Sequence, residues 1–325
     1  MTPATATLEP GDGLRFPMLQ ELTFHTLDVF TDRIFGGNQL AVFPNPPELP
    51  TDVLQSIARE FNLSETVFVY PARLAGTFCK LRIFTPQAEL PFAGHPTIGT
   101  AQLLVELGIA RAGADGSATY AFEEGVGRVP VEVMRTETGG YFTWLTTAQL
   151  PERREDAPAR EVLAAIIGVV PEEILQDEQD APIFWSAGLP FLCIPVRDRE
   201  VLARATLDVA RWRQALANSW AQDVYVFCHE PEGSEVDVRA RMFAPAAGIT
   251  EDPATGSAAA AFAGYLWKRT GGPGQWVIAQ GVEMGRPSTL YVDASGEESE
   301  LQTVKVGGTA VRVSSGILRL DLESD

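Results

Sequence analysis

The sequence predicts an α+β protein of two similar domains, each a β-sheet wrapped around a central apolar helix. Three features predict it. Strand-like runs dominate both halves of the 325-residue chain, which is long for a single core. Two helical segments, about 98–107 and 257–267, are apolar on nearly every face, the mark of a buried helix. Both follow the same ordered set of motifs, so each half is expected to build the same object.

In the first half, runs over 22–30, 39–43, 66–70, 78–84, 129–134 and 141–145 are rich in Val, Phe, Tyr, Trp and Thr and read as strands. A helix is expected over 52–60, with Thr51 as candidate N-cap, and another from His95 to about Leu107. In the second half, helices are expected over 160–167, 207–217 and from Gly256 to about Lys268. Strands are expected over 183–186, 191–195, 223–228, 236–243, 276–279, 289–292, 304–306, 310–313 and 317–320. The charged, Pro-containing stretch 149–160 is the candidate linker. The domains then cover 21–148 and 149–325, the last strand being free to return to the N-terminal domain. Residues 1–20 mix Pro, Gly and Thr and read as a flexible extension.

The repeat is legible residue by residue. Arg82-Ile83-Phe84-Thr85-Pro86, then Gly94-His95 and a helix, is echoed by Arg241-Met242-Phe243-Ala244-Pro245, then Gly256-Ser257 and a helix. Upstream, Glu65-Thr66-Val67-Phe68 and Asp223-Val224-Tyr225-Val226 precede the two arginines by nearly equal separations. Gly37-Asn38-Gln39-Leu40 and Gly188-Leu189-Pro190-Phe191 lie further upstream in the same order. Two domains facing each other across a cleft follow.

Composition narrows the partners. The chain carries 43 Asp+Glu against 25 Lys+Arg, a net charge of -18, and no basic run, so nucleic acid is not an expected partner. The three cysteines, Cys79, Cys193 and Cys228, are scattered in apolar runs and read as buried thiols in a reducing cytoplasm. Three histidines are too dispersed for a local metal motif, and no metal is expected. No apolar run is long enough to span a bilayer, and the N-terminus lacks the features of a signal peptide.

Chemistry concentrates where each central helix opens. A helix N-terminus presents unpaired N–H groups and about half a positive charge. Gly94 and Gly256 would let a ligand approach the backbone, and His95 and Ser257 would add side-chain hydrogen bonds. Two such starts in one cleft would clamp a small carboxylate substrate without Arg or Lys. Plain helix capping by Thr255 or Ser257 is the alternative for either motif alone. A clamp for a carbon acid also needs a base. Glu65, opening an apolar strand, is the candidate, although the residues by themselves favour a solvent-facing glutamate at a strand end. Asp252 is placed to hold a substrate amine or hydroxyl, or to form an Asx-turn before Pro253. Gly37-Asn38 reads as a type I′ hairpin position, with Asn38 also kept as a candidate substrate-binding residue. Glu89 reads as a solvated loop residue.

These motifs together resemble the PhzF-like phenazine-biosynthesis isomerase family. The resemblance rests on Gly37-Asn38-Gln39-Leu40-Ala41-Val42, Asn62-Leu63-Ser64-Glu65-Thr66, Arg82-Ile83-Phe84-Thr85-Pro86, Pro91-Phe92-Ala93-Gly94-His95-Pro96-Thr97 and Glu251-Asp252-Pro253-Ala254-Thr255-Gly256-Ser257. Gln280-Gly281 and Gly285-Arg286-Pro287-Ser288 extend it. It implies a diaminopimelate-epimerase-like fold, a homodimer and no cofactor. The family's proton-shuttling glutamate falls on Glu65, and its Gly-His, Asp and Gly-Ser positions on Gly94-His95, Asp252 and Gly256-Ser257. The type member isomerises trans-2,3-dihydro-3-hydroxyanthranilate by moving a proton between ring carbons. Epimerase relatives instead carry a cysteine at the start of each central helix, where this chain has Ala93 and Thr255, which argues against a two-thiol mechanism. Gln39 stands where many members have Pro, and the N-terminal extension is added; both leave the substrate open. The leading expectation is a cofactor-independent isomerase with Glu65 as acid/base. An amino-acid epimerase of the same fold and a non-catalytic small-molecule-binding protein are the alternatives.

Overall fold

The two apolar helices organise everything else. In the computed structural model, which describes residues 19–154, 157–297 and 300–321, α2 (Gly94–Glu106) is buried from Gly94 through Val105. Its counterpart α6 (Gly256–Thr270) is buried over almost its whole length to Trp267. A helix with no polar face has to be enclosed on all sides, and strands enclose both.

Around α2 run β1 (Leu19–Val29), β2 (Asn38–Phe43), β3 (Glu65–Pro71), β4 (Cys79–Phe84), the short β5 (Glu89–Leu90), β6 (Ala118–Glu124), β7 (Gly127–Arg135) and β8 (Tyr141–Thr146), with α1 (Thr51–Phe61) outside. Around α6 run β9 (Glu152–Arg154), β10 (Ile183–Ser186), β11 (Pro190–Pro195), β12 (Asp223–His229), β13 (Val238–Ala244), β14 (Ile249–Asp252), β15 (Gly274–Gln280) and β16 (Ser288–Glu297). Helices α3 (Arg160–Ile167), α4 (Arg199–Arg204) and α5 (Val209–Leu216) lie on the C-terminal half. The long β17 (Glu300–Asp321) joins the halves. It pairs first with β16, then with β8 and finally with β1, closing the N-terminal strands into a ring.

The halves share one wiring. Parallel β2 and β3 pair Leu40 with Glu65, and parallel β11 and β12 pair Phe191 with Asp223. Antiparallel β3 and β4 pair Phe68 with Arg82, and antiparallel β12 and β13 pair Val226 with Arg241. Both sets continue by a parallel step, β4 to β6 and β13 to β15. The structure thus has two pseudo-symmetric α+β domains, each a rolled sheet around a buried helix. One apolar core runs through both, from Val29, Leu40 and Ile98 to Phe227, Phe262 and Ile278. Outer cores under α1 and under α3 and α5 cover the far faces of the sheets.

Several local expectations change. Thr51 is the first helical residue of α1, and Pro50 holds the cap position with no side-chain bond. The stretch 149–160 is not purely a linker, because β9 within it pairs with β10. Asn38 is no turn residue: it opens β2 and is fully buried. Glu89 lies in β5, where its carboxylate pairs with Arg82 at 2.7 Å. Expected strands 304–306, 310–313 and 317–320 are one strand. Glycines 307, 308 and 316 broke the sequence pattern, yet each lies under a ring. A Cβ at Gly307 would sit 2.5 Å from Trp144, one at Gly308 2.5 Å from Phe30, and one at Gly316 2.6 Å from Phe24. The extension expected over residues 1–20 lies, up to residue 18, outside the described residues, and residues 19 and 20 begin β1.

No helix among the described residues is long and apolar enough to cross a membrane. Close helix–sheet packing depends on Gly99 in α2, where a Cβ would lie 2.6 Å from Val29 Cγ2 and 2.7 Å from Leu40 Cδ2. Gly99→Val is expected to cost about 1–3 kcal/mol by overpacking, read as a lowered denaturation midpoint. An unchanged midpoint would contradict this account of the α2 packing.

Candidate active site

Two helix N-termini meet head to head. A Cβ at Gly94 would lie 3.3 Å from Gly256 Cα and 3.6 Å from the Ser257 nitrogen, and one at Gly256 would lie 3.4 Å from Gly94 Cα. Larger residues at either position would push the helices apart. Each end carries about half a positive charge, so their juncture favours anions from both sides.

The strand ends deliver side chains to this juncture. Glu65 opens β3 on the face that also carries Val67 and Val69, both in the core around α2. Its Oε2 lies 3.0 Å from His95 Nε2, with Glu65 only 13% exposed at the side chain and His95 5%. Neither atom has an aligned hydrogen-bond partner among the described residues, so the contact is an ion-pair approach. Asn38 opens β2 and donates both protons of its amide nitrogen, to Asp252 Oδ1 and to the Ala254 carbonyl, each at 2.9 Å. The same nitrogen is 3.4 Å from His95 Nδ1 but has no proton left to give it. The imidazole instead engages the backbone of Gln39. The Nε2 edge of the ring is the one turned toward Glu65.

Asp252 is held just as closely. Its Oδ1 accepts from Asn38, and its Oδ2 accepts from the Thr255 hydroxyl at 2.6 Å. Gln280 locks this turn from behind, donating to the Asp252 carbonyl at 2.9 Å and to Thr255 Oγ1 at 3.0 Å. Burial, reinforced by the nearby Glu65 charge, pushes the Asp252 carboxyl up to about 6, against the pull of His95 and of its two donors. For His95, burial alone would lower the pKa; the Glu65 carboxylate, with Asp252 behind it, outweighs burial and the net shift is upward.

The sequence-derived candidates Asn38, Glu65, Gly94, His95, Asp252 and Gly256 therefore converge, and Ser257 sits half-buried beside Gly94. Sequence reasoning gave no role to Gln280 and treated Thr255 only as a cap. It also missed the clasp that seats the β1–β2 loop against the C-terminal domain. There Arg286 donates to Asp28 Oδ1 at 2.6 Å and to the Gly37 carbonyl at 2.9 Å. Phe30, with φ +67°, is bonded through its backbone to Thr309 and Thr289 and puts its ring against Gly256. A positive φ on a bulky residue is strained, and such strain gathers at functional sites. The signal for these residues was their place in motifs, without any clue to partners that are far off in sequence.

The architecture is that of the diaminopimelate-epimerase-like proteins, and comparison with known proteins narrows it. The profile of the phenazine biosynthesis-like protein family (PhzC-PhzF) matches residues 27–316. A Mesorhizobium japonicum protein named as an uncharacterised isomerase is 40% identical over 306 residues, covering 92% of this chain and 99% of that one. The trans-2,3-dihydro-3-hydroxyanthranilate isomerase of Pseudomonas fluorescens is 35% identical over 301 residues, covering 90% of this chain and 98% of its own. The crystal structure of a Bacillus anthracis phenazine biosynthesis protein of the PhzF family superposes with a TM-score of 0.82 at 25% identity, over 92% of this chain and 99% of that one. The chain belongs to this PhzF-like family of isomerases.

One buried acid supports the site without touching the juncture. Thr97, in the first turn of α2, has its hydroxyl 2.7 Å from both the Ala93 carbonyl and Glu124 Oε1. A hydroxyl has one proton, so a neutral Glu124 that donates to Thr97 satisfies both contacts. Burial pushes the Glu124 carboxyl up to about 8. Between the ordinary value of 4.5 and about 8 the folded chain keeps a proton that the unfolded chain has lost. Stability contributed by this group is therefore greatest in acid and falls as pH rises. Glu124→Gln is expected to remove that slope, about 1.4 kcal/mol per pH unit within the window, in denaturant titrations of both proteins at several pH values. Parallel pH profiles would show Glu124 to be an ordinary carboxylate.

Proposed function

We propose that this protein moves a proton between carbons of a small carboxylate-bearing substrate, of the trans-2,3-dihydro-3-hydroxyanthranilate type, without a cofactor and with Glu65 as the acid/base. The observation that carries the reading is the 3.0 Å approach of Glu65 Oε2 to His95 Nε2 beside the abutting starts of α2 and α6. The substrate carboxylate sits on the free N–H groups of the two helix starts, with Ser257 as a side-chain donor.

In the reaction, the Glu65 carboxylate takes a proton from a substrate carbon. The electron pair of the broken C–H bond moves into the conjugated system toward the clamped carboxylate. The preorganised N–H groups stabilise the developing charge, and they do so strongly because the site is nearly sealed from water. The protonated Glu65 then returns the proton to another carbon on the same face, so one group serves as base and acid. His95 keeps Glu65 oriented and lends it charge stabilisation, and Asp252 with Asn38 fixes the imidazole wall of the site.

An epimerase chemistry of the two-thiol kind has no support in the residues at the juncture. Ala93 and Thr255 occupy the N-cap positions of α2 and α6. The Thr255 hydroxyl is committed to Asp252, and all three cysteines are buried elsewhere.

The test uses trans-2,3-dihydro-3-hydroxyanthranilate in deuterium oxide. Wild-type protein is expected to isomerise it, with solvent deuterium appearing at the newly protonated carbon, followed by NMR. Glu65→Gln is expected to retain binding and lose turnover by about 10²–10⁴-fold. Full turnover in that variant would refute the role of Glu65. No turnover of this compound by wild type, with deuterium uptake into a different amino or hydroxy carboxylate, would reassign the substrate.

A further inference from the structure

Internal symmetry gives Glu65 a carboxylate counterpart in the second domain. Glu65 and Asp223 are structural equivalents: each opens the strand that pairs in parallel with its neighbour, at Leu40 and at Phe191, and each lies three residues before the residue that faces the repeat arginine. Asp223 shares its strand face with Tyr225 and Phe227, because alternate residues of a strand point the same way. Those two rings pack on α6: Tyr225 on Phe262 at 5.3 Å, Phe227 on Phe262 at 4.5 Å and on Tyr265 at 4.9 Å. Contacts therefore move toward the start of α6 as β12 is followed back toward Asp223. One step of two strand residues is roughly 6–7 Å, or about one helical turn, which brings Asp223 level with the first turn of α6, near Ser257.

We propose that Asp223 is the cation-binding half of this site, holding the protonated amine of an amino carboxylate whose carboxylate rests on the paired helix starts. The proposal builds on the carboxylate clamp proposed above. Three observations select Asp223 over Asp252 for this task. Both oxygens of Asp252 already accept protons from Asn38 and Thr255. Asp223 is half-buried and has no hydrogen-bond or ionic partner among the described residues, and Ser257, in the first turn of α6, has no side-chain partner there either. Burial alone lifts the Asp223 carboxyl, to about 6, with no contribution from Glu65, His95 or Asp252. With a value near 6 it is mostly ionised at neutral pH. A half-buried carboxylate without a partner is costly to keep, and a ligand ammonium would relieve that cost.

Binding of two simple probes tests this. Cyclohexanecarboxylate offers only the acid; cis-2-aminocyclohexanecarboxylate adds one ammonium group. Titration calorimetry at neutral pH is run on wild type and Asp223→Asn, with melting curves on both proteins to verify folding. Wild type is expected to prefer the amino acid by about tenfold, the effect of one charge-assisted contact. In Asp223→Asn that preference is expected to vanish while affinity for cyclohexanecarboxylate stays the same. If cyclohexanecarboxylate binds but the amino group brings no preference, or one that survives in Asp223→Asn, the Asp223 subsite is wrong and the clamp stands. If neither acid binds to wild type, the clamp falls and the subsite falls with it.

Discussion

The meeting of two helix N-termini at Gly94 and Gly256 is the constraint on which the rest of the molecule depends. Bringing two partial positive ends within a few ångströms is unfavourable on its own. The structure offsets it in two ways. A single apolar core runs through both domains and holds the helices in place. Carboxylates on the surrounding strand ends, Glu65 and Asp252, supply the opposite charge at the juncture. The proposed carboxylate clamp rests on the positive potential left over at this spot.

Hydrogen-bond saturation gives the site its sharpness. The amide nitrogen of Asn38 has two protons and both are spent, so it cannot serve His95 as well. Asp252 has each oxygen occupied, and Gln280 ties down the turn that presents it. These commitments leave Glu65 Oε2, His95 Nε2 and Asn38 Oδ1 as the buried polar atoms without a hydrogen-bond partner at the juncture among the described residues, beside the helix N–H groups and Ser257. Buried polar networks that are fully satisfied are rigid, and rigidity concentrates chemistry in the unsatisfied remainder.

Pseudo-symmetry holds in the wiring of the strands that carry the site and is broken in chemistry. The strand opening that carries Glu65 in one domain carries Asp223 in the other, and the helix position of His95 is filled by Ser257. A duplicated scaffold holds these positions at equivalent places in its two halves. Loading them unequally makes the two sides of a duplicated scaffold chemically different, and the proposed division into a proton-transferring side and a binding side rests on that difference. The clasp of Arg286 on Asp28 and Gly37, together with the strained Phe30, holds the β1–β2 loop so that Asn38 can reach across the domain boundary.

The sequence by itself determined the local grammar: two helices without a polar face, strands of the right kind around them, a repeat in fixed order, and Gly-polar pairs at the helix starts. These follow from periodicity and residue chemistry, which are properties of neighbours along the chain. It misread β17 as three strands, because a glycine beneath an aromatic ring looks in sequence like a break. It took Asn38 for a turn residue, because nothing adjacent to Asn38 reveals Asp252. Only the tertiary structure decided that the two helix starts abut, that Glu65 meets His95, that Asp252 is saturated and Asp223 is not, and that Glu124 is buried against Thr97. Each of these is a contact between residues from different elements, set by how the two rolled sheets pack around a shared core.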